Sequence, residues 1–166
     1  MKNKKPQSKI ILSAKFFVIF ITVIALYYIF IAIIGDNYFN LYLNLTAKLS
    51  SLLLIFLGMN TDTNGSLIYS ADTSVLISYG CEGTESIIIF LAGLIAIPLP
   101  FRNKILPGII TVFLLYFLNL LRIVALFLIQ KNYPNQFDNF HIIYFPILFI
   151  LFALVGLYLS TKSISR

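Results

Sequence analysis

Residues 105–129 read ILPGIITVFLLYFLNLLRIVALFLI, a run in which Arg122 carries the only charge. As a helix, a segment of this length rises about 37 Å at 1.5 Å per residue, which exceeds the roughly 30 Å thickness of the hydrocarbon core of a bilayer. A helix also satisfies the backbone hydrogen bonds of a single segment without help from water. The stretch therefore predicts a transmembrane helix with one guanidinium inside it.

Comparable apolar runs lie on both sides of this stretch. Of the 166 residues, 60% are hydrophobic and 11% are charged, whereas a soluble domain carries about 25% charged residues. The run at 10–34 is too long for the core of a signal peptide, which has roughly 7–15 residues. The sequence predicts a single-domain, all-α integral membrane protein with about four transmembrane helices, at 10–34, 84–99, 105–129 and 142–159.

Two further segments differ from these runs. In 41–59, the polar residues Asn44, Lys48 and Ser51 recur at helical spacing opposite a row of leucines, a pattern typical of an amphipathic helix at the membrane surface. A short span that tolerates Lys48 is the alternative. In 65–80, short β-branched and aromatic runs flank a turn, which predicts a small extracytoplasmic β-hairpin outside the bilayer core.

The basic residues cluster at the ends of the apolar runs. Twelve Lys and Arg stand against six Asp and Glu, which gives a net charge of +6. Most of the basic residues lie in the tail at 1–9, in the loop at 101–104 and near the C-terminus, so the positive-inside rule places both termini in the cytoplasm. Because the charge forms no basic helix face, the sequence predicts no nucleic-acid partner.

This topology brings three isolated polar side chains to the same depth. Cys81 precedes the second predicted helix and His141 precedes the fourth, both on the outer side, while Arg122 lies about 12 Å below the outer end of the third. A charge inside a span costs about 2.5 kcal/mol or more and is usually functional or paired. A thiol with a nearby imidazole is suited to nucleophilic catalysis, so Cys81, Arg122 and His141 are the predicted catalytic residues.

Three neighbours are candidate supporting residues. Gly83 lets the backbone approach a substrate closely, and Asn119 shares a helix face with Arg122, where its amide is placed to hold the guanidinium. Asp138 precedes His141 by about one helical turn and is placed to orient the imidazole, unless it is an ordinary loop residue.

A structural interpretation of each central residue stays open. Arg122 would then bind a lipid phosphate or reach the interface, Cys81 would be a packed side chain, and His141 would be an interfacial residue without a chemical role. A single cysteine forms no internal disulfide, and one Cys with one His falls short of the ligands that zinc requires. The sequence therefore predicts no metal and no cofactor.

The same residues form three motifs in one order along the chain. These are Cys81-Glu-Gly83 before one predicted helix, Asn119-Leu-Leu-Arg122 inside the next, and His141 at the start of the one after. In these motifs the chain resembles the exosortase/archaeosortase family over residues 65–160, and it looks closest to short forms such as exosortase H.

The resemblance implies a cysteine peptidase or transpeptidase in the bacterial plasma membrane, with its active site on the extracytoplasmic side. Its partners would be the C-terminal sorting tails of exported proteins, cleaved through a thioester on Cys81. Water, a membrane lipid or another cell-envelope acceptor would then resolve the thioester. Because many members are longer, the resemblance also implies a homo-oligomer or an accessory subunit.

Two other classes of function stay open on the residues alone. A non-enzymatic lipid-binding or transporter-accessory protein would use Arg122 to hold an anionic lipid and would leave Cys81 passive. A lipid-glycan transferase is disfavoured, because such enzymes use acidic metal-binding clusters and no Asp-x-x-Asp pair lies near the end of a predicted span.

Overall fold

Helices dominate the structure, a computed structural model that describes residues 6–34, 36–78 and 81–164. In chain order the elements are α1 (Pro6–Ile34), α2 (Asp36–Phe56), β1 (Asp62–Asn64), β2 (Leu67–Tyr69), β3 (Ser74–Leu76), α3 (Thr84–Ala96), α4 (Phe101–Asn132) and α5 (Phe145–Ile164). A 3₁₀ turn and a π-helical turn connect α4 to α5, at Pro134–Gln136 and Asn139–Tyr144. The predicted all-α membrane fold is confirmed. Residues 1–5 of the predicted cytoplasmic tail and 79–80 of the predicted hairpin lie outside the described residues.

Four of the described helical stretches are long and apolar enough to cross a membrane. They are Ser13–Ile33, Phe39–Phe56, Phe101–Asn132 and Pro134–Lys162. The set differs from the predicted one, because α2 qualifies by length and composition whereas α3 has only 13 residues. A helix of that length rises about 20 Å, less than the thickness of the hydrocarbon core.

A lysine caps the carboxyl end of α3. Ile97 leaves helical geometry, with φ −69° and ψ 131°, directly ahead of Pro98, whose ring disfavours a helical conformation in the preceding residue. Lys104 is buried and donates from Nζ to the carbonyls of Ile95 (3.1 Å) and Ile97 (2.6 Å). These bonds satisfy carbonyls that a helix end leaves without partners. The helix predicted at 84–99 therefore ends earlier than expected.

The helices α3, α4 and α5 share one hydrophobic core. Its buried residues are Phe90, Leu94, Leu115 and Ala153. Close approach of the helices depends on small residues: a Cβ on Gly93 would lie 2.8 Å from the Leu157 side chain, and one on Gly156 would lie 2.6 Å from that of Thr111. Such small residues are typical of helix packing in membranes.

A small sheet forms a second layer, between α2 and the carboxyl half of α4. Its three antiparallel strands follow the order β1-β2-β3, so it exceeds the predicted two-stranded hairpin and begins earlier, at Asp62. The turn between β1 and β2 contains Gly65 at φ 62°. The second core lies beneath the sheet, where Ile68 and Val75 cluster with residues of α2 and with Phe127 of α4.

The helix α2 faces the protein with small polar residues. Thr46, Ser50 and Ser51 are buried, whereas Leu45 and Leu52 are exposed. The prediction that Ser51 shares a water-facing side with Lys48 is therefore wrong. These small side chains let α2 pack closely against its neighbours. Leu43 and Leu54 join the core beneath the sheet, while Leu45 and Leu52 face outward. The placement of α2 at the membrane surface stays a prediction.

Candidate active site

Cys81 lies in a tight turn between β3 and α3. Its N–H donates to the carbonyl of Ser78 at 3.0 Å, and its side chain is 6% exposed. Two residues later Gly83 precedes α3 with φ 80°, and a Cβ there would lie 2.5 Å from Cγ of Asn119. Glycine is therefore required twice over, for the left-handed backbone and for the close approach to α4. This contact fixes Cys81 against the middle of α4.

His141 lies in the π-helical turn before α5. The N–H of Phe145 bonds to the carbonyl of Phe140, five residues earlier. With the same spacing of five residues, the His141 carbonyl would accept from residue 146. Residue 146 is a proline, which has no N–H. The Arg122 guanidinium takes that place, with Nη2 donating to the His141 carbonyl at 3.3 Å. The π turn therefore joins α5 to α4 at the site, as such turns often do at functional positions.

The thiol and the imidazole are in direct contact. Sγ of Cys81 lies 3.3 Å from Nε2 and 3.4 Å from Nδ1 of His141. The sulfur is thus almost equally far from the two ring nitrogens. On the lone-pair axis of one nitrogen, it would be much farther from the other nitrogen. The imidazole ring must therefore rotate before one of its nitrogens points at the thiol. Phe137 stacks on the imidazole, with ring centroids 5.5 Å apart and planes at 15°, and this contact restricts the ring to a limited range of orientations.

Arg122 closes the third side of the cluster and is 5% exposed. Its guanidinium carbon lies 5.6 Å from the ring centroid of Phe149 and 6.0 Å from that of Phe145. Aromatic faces at these distances stabilise a cation that has left water. Among the described residues, Nε of Arg122 has no hydrogen-bond partner, so one charged donor on this side of the cluster is left for an anion.

The supporting residues behave differently from the expectation. Asn119 is fully buried, but neither atom of its amide forms a hydrogen bond with any residue that the structure describes, so it does not hold the Arg122 guanidinium. It packs against Gly83 instead. Asp138 is exposed at the mouth of the site. Among the contacts described for the His141 ring, the stacking partner is Phe137, and none is with the Asp138 carboxylate.

Glu82, between Cys81 and Gly83, is a buried acid with 2% exposure. Thr84 donates to its Oε1 at 2.8 Å, and Tyr42 donates to its main-chain carbonyl at 3.1 Å. Tyr27 of α1 in turn bonds to Thr84 at 2.6 Å. The two tyrosines therefore tie α1 and α2 to the segment that carries the cysteine. In the sequence, a tyrosine hydroxyl within an apolar helix indicates that a hydrogen-bond partner is needed. Which residue supplies that partner depends on how the helices pack.

A cleft of about 550 Å³ opens onto the cysteine and the histidine. It is lined by the end of the sheet and by the segment that leads into α5: Ser74, Val75, Leu76, Ser78, Cys81, Gln130, Pro134, Phe137, Asp138 and His141. Burial raises the pKa of the Cys81 thiol, while the charge of Arg122 acts in the opposite direction. No group of three His, Cys, Asp or Glu side chains that could hold a metal ion occurs within the described ranges.

Comparison with known proteins gives one match. The model of the transmembrane exosortase family covers residues 9–159, nearly the whole chain. No curated protein and no solved structure matches the chain. The family match includes the turn with Cys81, the helix with Arg122 and the turn with His141. The chain belongs to the transmembrane exosortase family and is a multi-pass membrane protein.

Proposed function

We propose that this protein is a membrane cysteine peptidase or transpeptidase that removes the C-terminal sorting tail of exported proteins. Family membership supports the general class, a membrane transpeptidase that acts on sorting signals. The observation that carries the assignment is the contact of 3.3 Å between Sγ of Cys81 and the His141 ring, at the bottom of a cleft large enough for a peptide segment.

In the first half-reaction His141 removes the proton from Sγ of Cys81. The thiolate attacks the carbonyl carbon of the scissile peptide bond and forms a tetrahedral oxyanion. As the C–N bond breaks, the imidazolium returns its proton to the leaving amine. The tail departs with a free amino group, and the substrate protein remains bound to Cys81 as a thioester.

Arg122 supplies positive charge to this step. It positions the π turn through the His141 carbonyl, and its charge acts on the Cys81 thiol. Its Nε, which has no partner among the described residues, is then a donor for the thiolate or the oxyanion. In a site shielded from water, such a charge stabilises a developing anion far more than it would in solution. Cys81 also lies three residues before α3 begins at Thr84, and the positive end of a helix dipole favours an anion nearby.

The second half-reaction releases the substrate protein. Water would give hydrolysis, whereas the amine of a membrane lipid or of another envelope component would give transfer. In either case the nucleophile adds to the thioester carbonyl and its proton passes to His141. The C–S bond then breaks, and the imidazolium returns that proton to the departing sulfur, which restores the thiol of Cys81. We place the site on the extracytoplasmic side of a bacterial plasma membrane, where an exported protein with a membrane-bound tail presents its cleavage site.

The test uses cells that produce a tagged, tail-bearing substrate. We expect Cys81→Ala to abolish tail removal, because no other thiol in the chain can form the thioester. Arg122→Ala should reduce it strongly, whereas Arg102→Ala, at the exposed start of the same helix, should not. The shift in substrate size on a gel is the measurement. Full processing in the Cys81 variant would contradict the proposal and favour a lipid-binding protein in which the cysteine is passive.

A further inference from the structure

The strand β3 has a free edge beside the active-site cleft. Ile77 donates its N–H to Ser66 at 3.0 Å, and Thr73 accepts from Ser70 at 2.8 Å. In an antiparallel ladder these directions alternate, so Thr73, Val75 and Ile77 direct their backbone groups toward β2. The intervening residues Ser74, Leu76 and Ser78 direct theirs away from the sheet.

This outward edge leads to the cysteine. Ser74, Leu76 and Ser78 line the same cleft as Cys81 and His141, and Leu76 is 61% exposed. The carbonyl of Ser78 is occupied by the N–H of Cys81. The sheet order ends at β3, and no other described strand pairs with this side. The backbone groups of Ser74 and Leu76 are therefore left for a partner that lies in the cleft.

The edge also lacks the features that block strand addition. Proteins protect exposed edges with lysines, prolines or bulges, yet residues 73–78 read TSVLIS, without charge or proline. The buried side of the strand is held firmly, since Val75 and Ile77 belong to the core beneath the sheet. The strand is thus a fixed template with one open side.

We propose that the substrate segment ahead of the scissile bond binds along β3 as a fourth strand of the sheet. The inference rests on the proposed function and names how that site recognises its substrate. Strand addition of this kind takes its affinity from main-chain hydrogen bonds and its specificity from alternate side chains. The scissile carbonyl is then delivered to Sγ of Cys81 at the end of the strand.

The direction of the bound segment follows from where its two ends must go. β3 itself runs toward Cys81, where the chain turns into the apolar helix α3. A substrate likewise runs from a folded domain outside the membrane, through the cleavage site, into a membrane tail. The substrate strand therefore runs in the same direction as β3 and pairs with it in parallel. In such a pairing proline is tolerated only at alternate substrate positions, because its missing N–H must face away from β3.

A proline placed at the edge tests the pairing in cells that produce a tagged, tail-bearing substrate. Leu76→Pro removes an outward N–H and leaves the ladder to β2 intact, and we expect tail removal to fall roughly tenfold or more. Leu76→Ala keeps the backbone donor, so it should lose far less processing than Leu76→Pro. Thr63 faces outward at the opposite edge, since its partner Ile68 directs its backbone toward β3. Thr63→Pro should therefore change processing by less than about twofold.

The outcomes separate this inference from the proposed function. Processing that requires Cys81 but survives Leu76→Pro would overturn the strand pairing and leave the enzyme assignment standing. An equal loss in Leu76→Ala would also overturn it, because the contact would then be through the side chain. Processing that persists without Cys81 would overturn the proposed function itself.

A second measurement does not depend on how well a proline variant folds. Cys81 is the only cysteine, so Ser74→Cys in a Cys81→Ala protein carries one reporter thiol and retains uncleaved substrate. Single cysteines are placed in turn at successive substrate positions ahead of the cleavage site, followed by mild oxidation. We expect disulfides from alternate positions, with Thr63→Cys as the control that forms none. Cross-links without alternation, or no cross-links from Ser74→Cys, would contradict the pairing.

Discussion

At the scale of single residues, Gly83 shows how two constraints meet at one position. Its φ of 80° favours glycine, and the side chain of Asn119 fills the space where a Cβ would lie. The sequence motif around Cys81 and Gly83 indicated a close backbone approach. It did not indicate that the approaching group is Asn119, because that requires knowing the depth at which α3 meets α4.

Gly83→Ala should be far more damaging than a matched glycine substitution. Gly58 has φ 85° but open space around its would-be Cβ, so Gly58→Ala should lose only about 1–2 kcal/mol from left-handed backbone strain. Gly83→Ala adds the collision with Asn119 and displaces Cys81, so we expect a larger fall in melting temperature and loss of tail removal. Thermal unfolding in detergent and the processing assay measure the two effects. Equal effects of both substitutions would contradict the packing described here.

The reactivity of Cys81 should rise steadily with pH. Burial raises the pKa of this thiol above its ordinary value of about 8.5, despite the opposing charge of Arg122. A raised pKa keeps the thiol protonated at neutral pH, and the thiolate fraction then grows about tenfold per pH unit. We expect alkylation by a small neutral reagent to accelerate from pH 7 to 9 without levelling off. A plateau below pH 7 would instead indicate a resting thiolate–imidazolium pair.

At the scale of elements, the π turn before α5 decides where His141 and Arg122 meet. Hydropathy predicted a helix starting near residue 142, and the observed helix α5 follows the π turn at Phe145. The sequence contains Pro146 but does not reveal that it leaves the His141 carbonyl without a main-chain donor. That effect arises only because the turn is π-helical, so that residue 146 would be the donor to this carbonyl.

Replacing this proline should weaken the site without unfolding the protein. Pro146→Ala restores an N–H that competes with Arg122 for the His141 carbonyl. Where the new N–H takes the carbonyl, the site loses a hydrogen bond from a charged group, which contributes about 1.5–3 kcal/mol, so we expect tail removal to fall roughly tenfold. Pro107→Ala, within α4 but away from the cysteine, is the control and should leave processing unchanged. A fully active Pro146→Ala protein would show that the contact from Arg122 is dispensable.

The small sheet was the element least accessible to sequence reasoning. The β-branched runs of β2 and β3 predicted strands, whereas β1 consists of Asp62, Thr63 and Asn64, residues typical of turns. Their pairing with β2 depends on packing against α2, a long-range contact that local propensity does not contain. The same long-range packing explains why Ser51 is buried.

At the scale of the whole molecule, the convergence of the three polar residues was predictable from apolar run lengths and loop charges. Counting helical rises placed Cys81, Arg122 and His141 at one depth, and the structure brings them into contact. The identity of the four long helices was not predictable in full. α3 ends ahead of Pro98, and the carbonyls at this end bond to Lys104, a contact that depends on how α4 folds back.

The orientation in the membrane stays a prediction and can be tested with single cysteines in a Cys81→Ala protein. Ser74→Cys lies at the exposed sheet edge and should react with a membrane-impermeant maleimide in intact cells. Arg102→Cys, exposed near the start of α4, should react only after lysis, because the positive-inside rule places it in the cytoplasm. The reverse pattern would invert the topology.

We propose that Cys81 attacks the substrate and carries it as a thioester. The direct test is intact-mass spectrometry of the purified protein after brief mixing with a tail-bearing substrate. We expect an adduct with the mass of the substrate minus its tail, which hydroxylamine removes and which Cys81→Ala lacks. An adduct that persists in the Cys81→Ala protein, or cleavage of the substrate with no hydroxylamine-sensitive adduct on the wild type, would contradict the account.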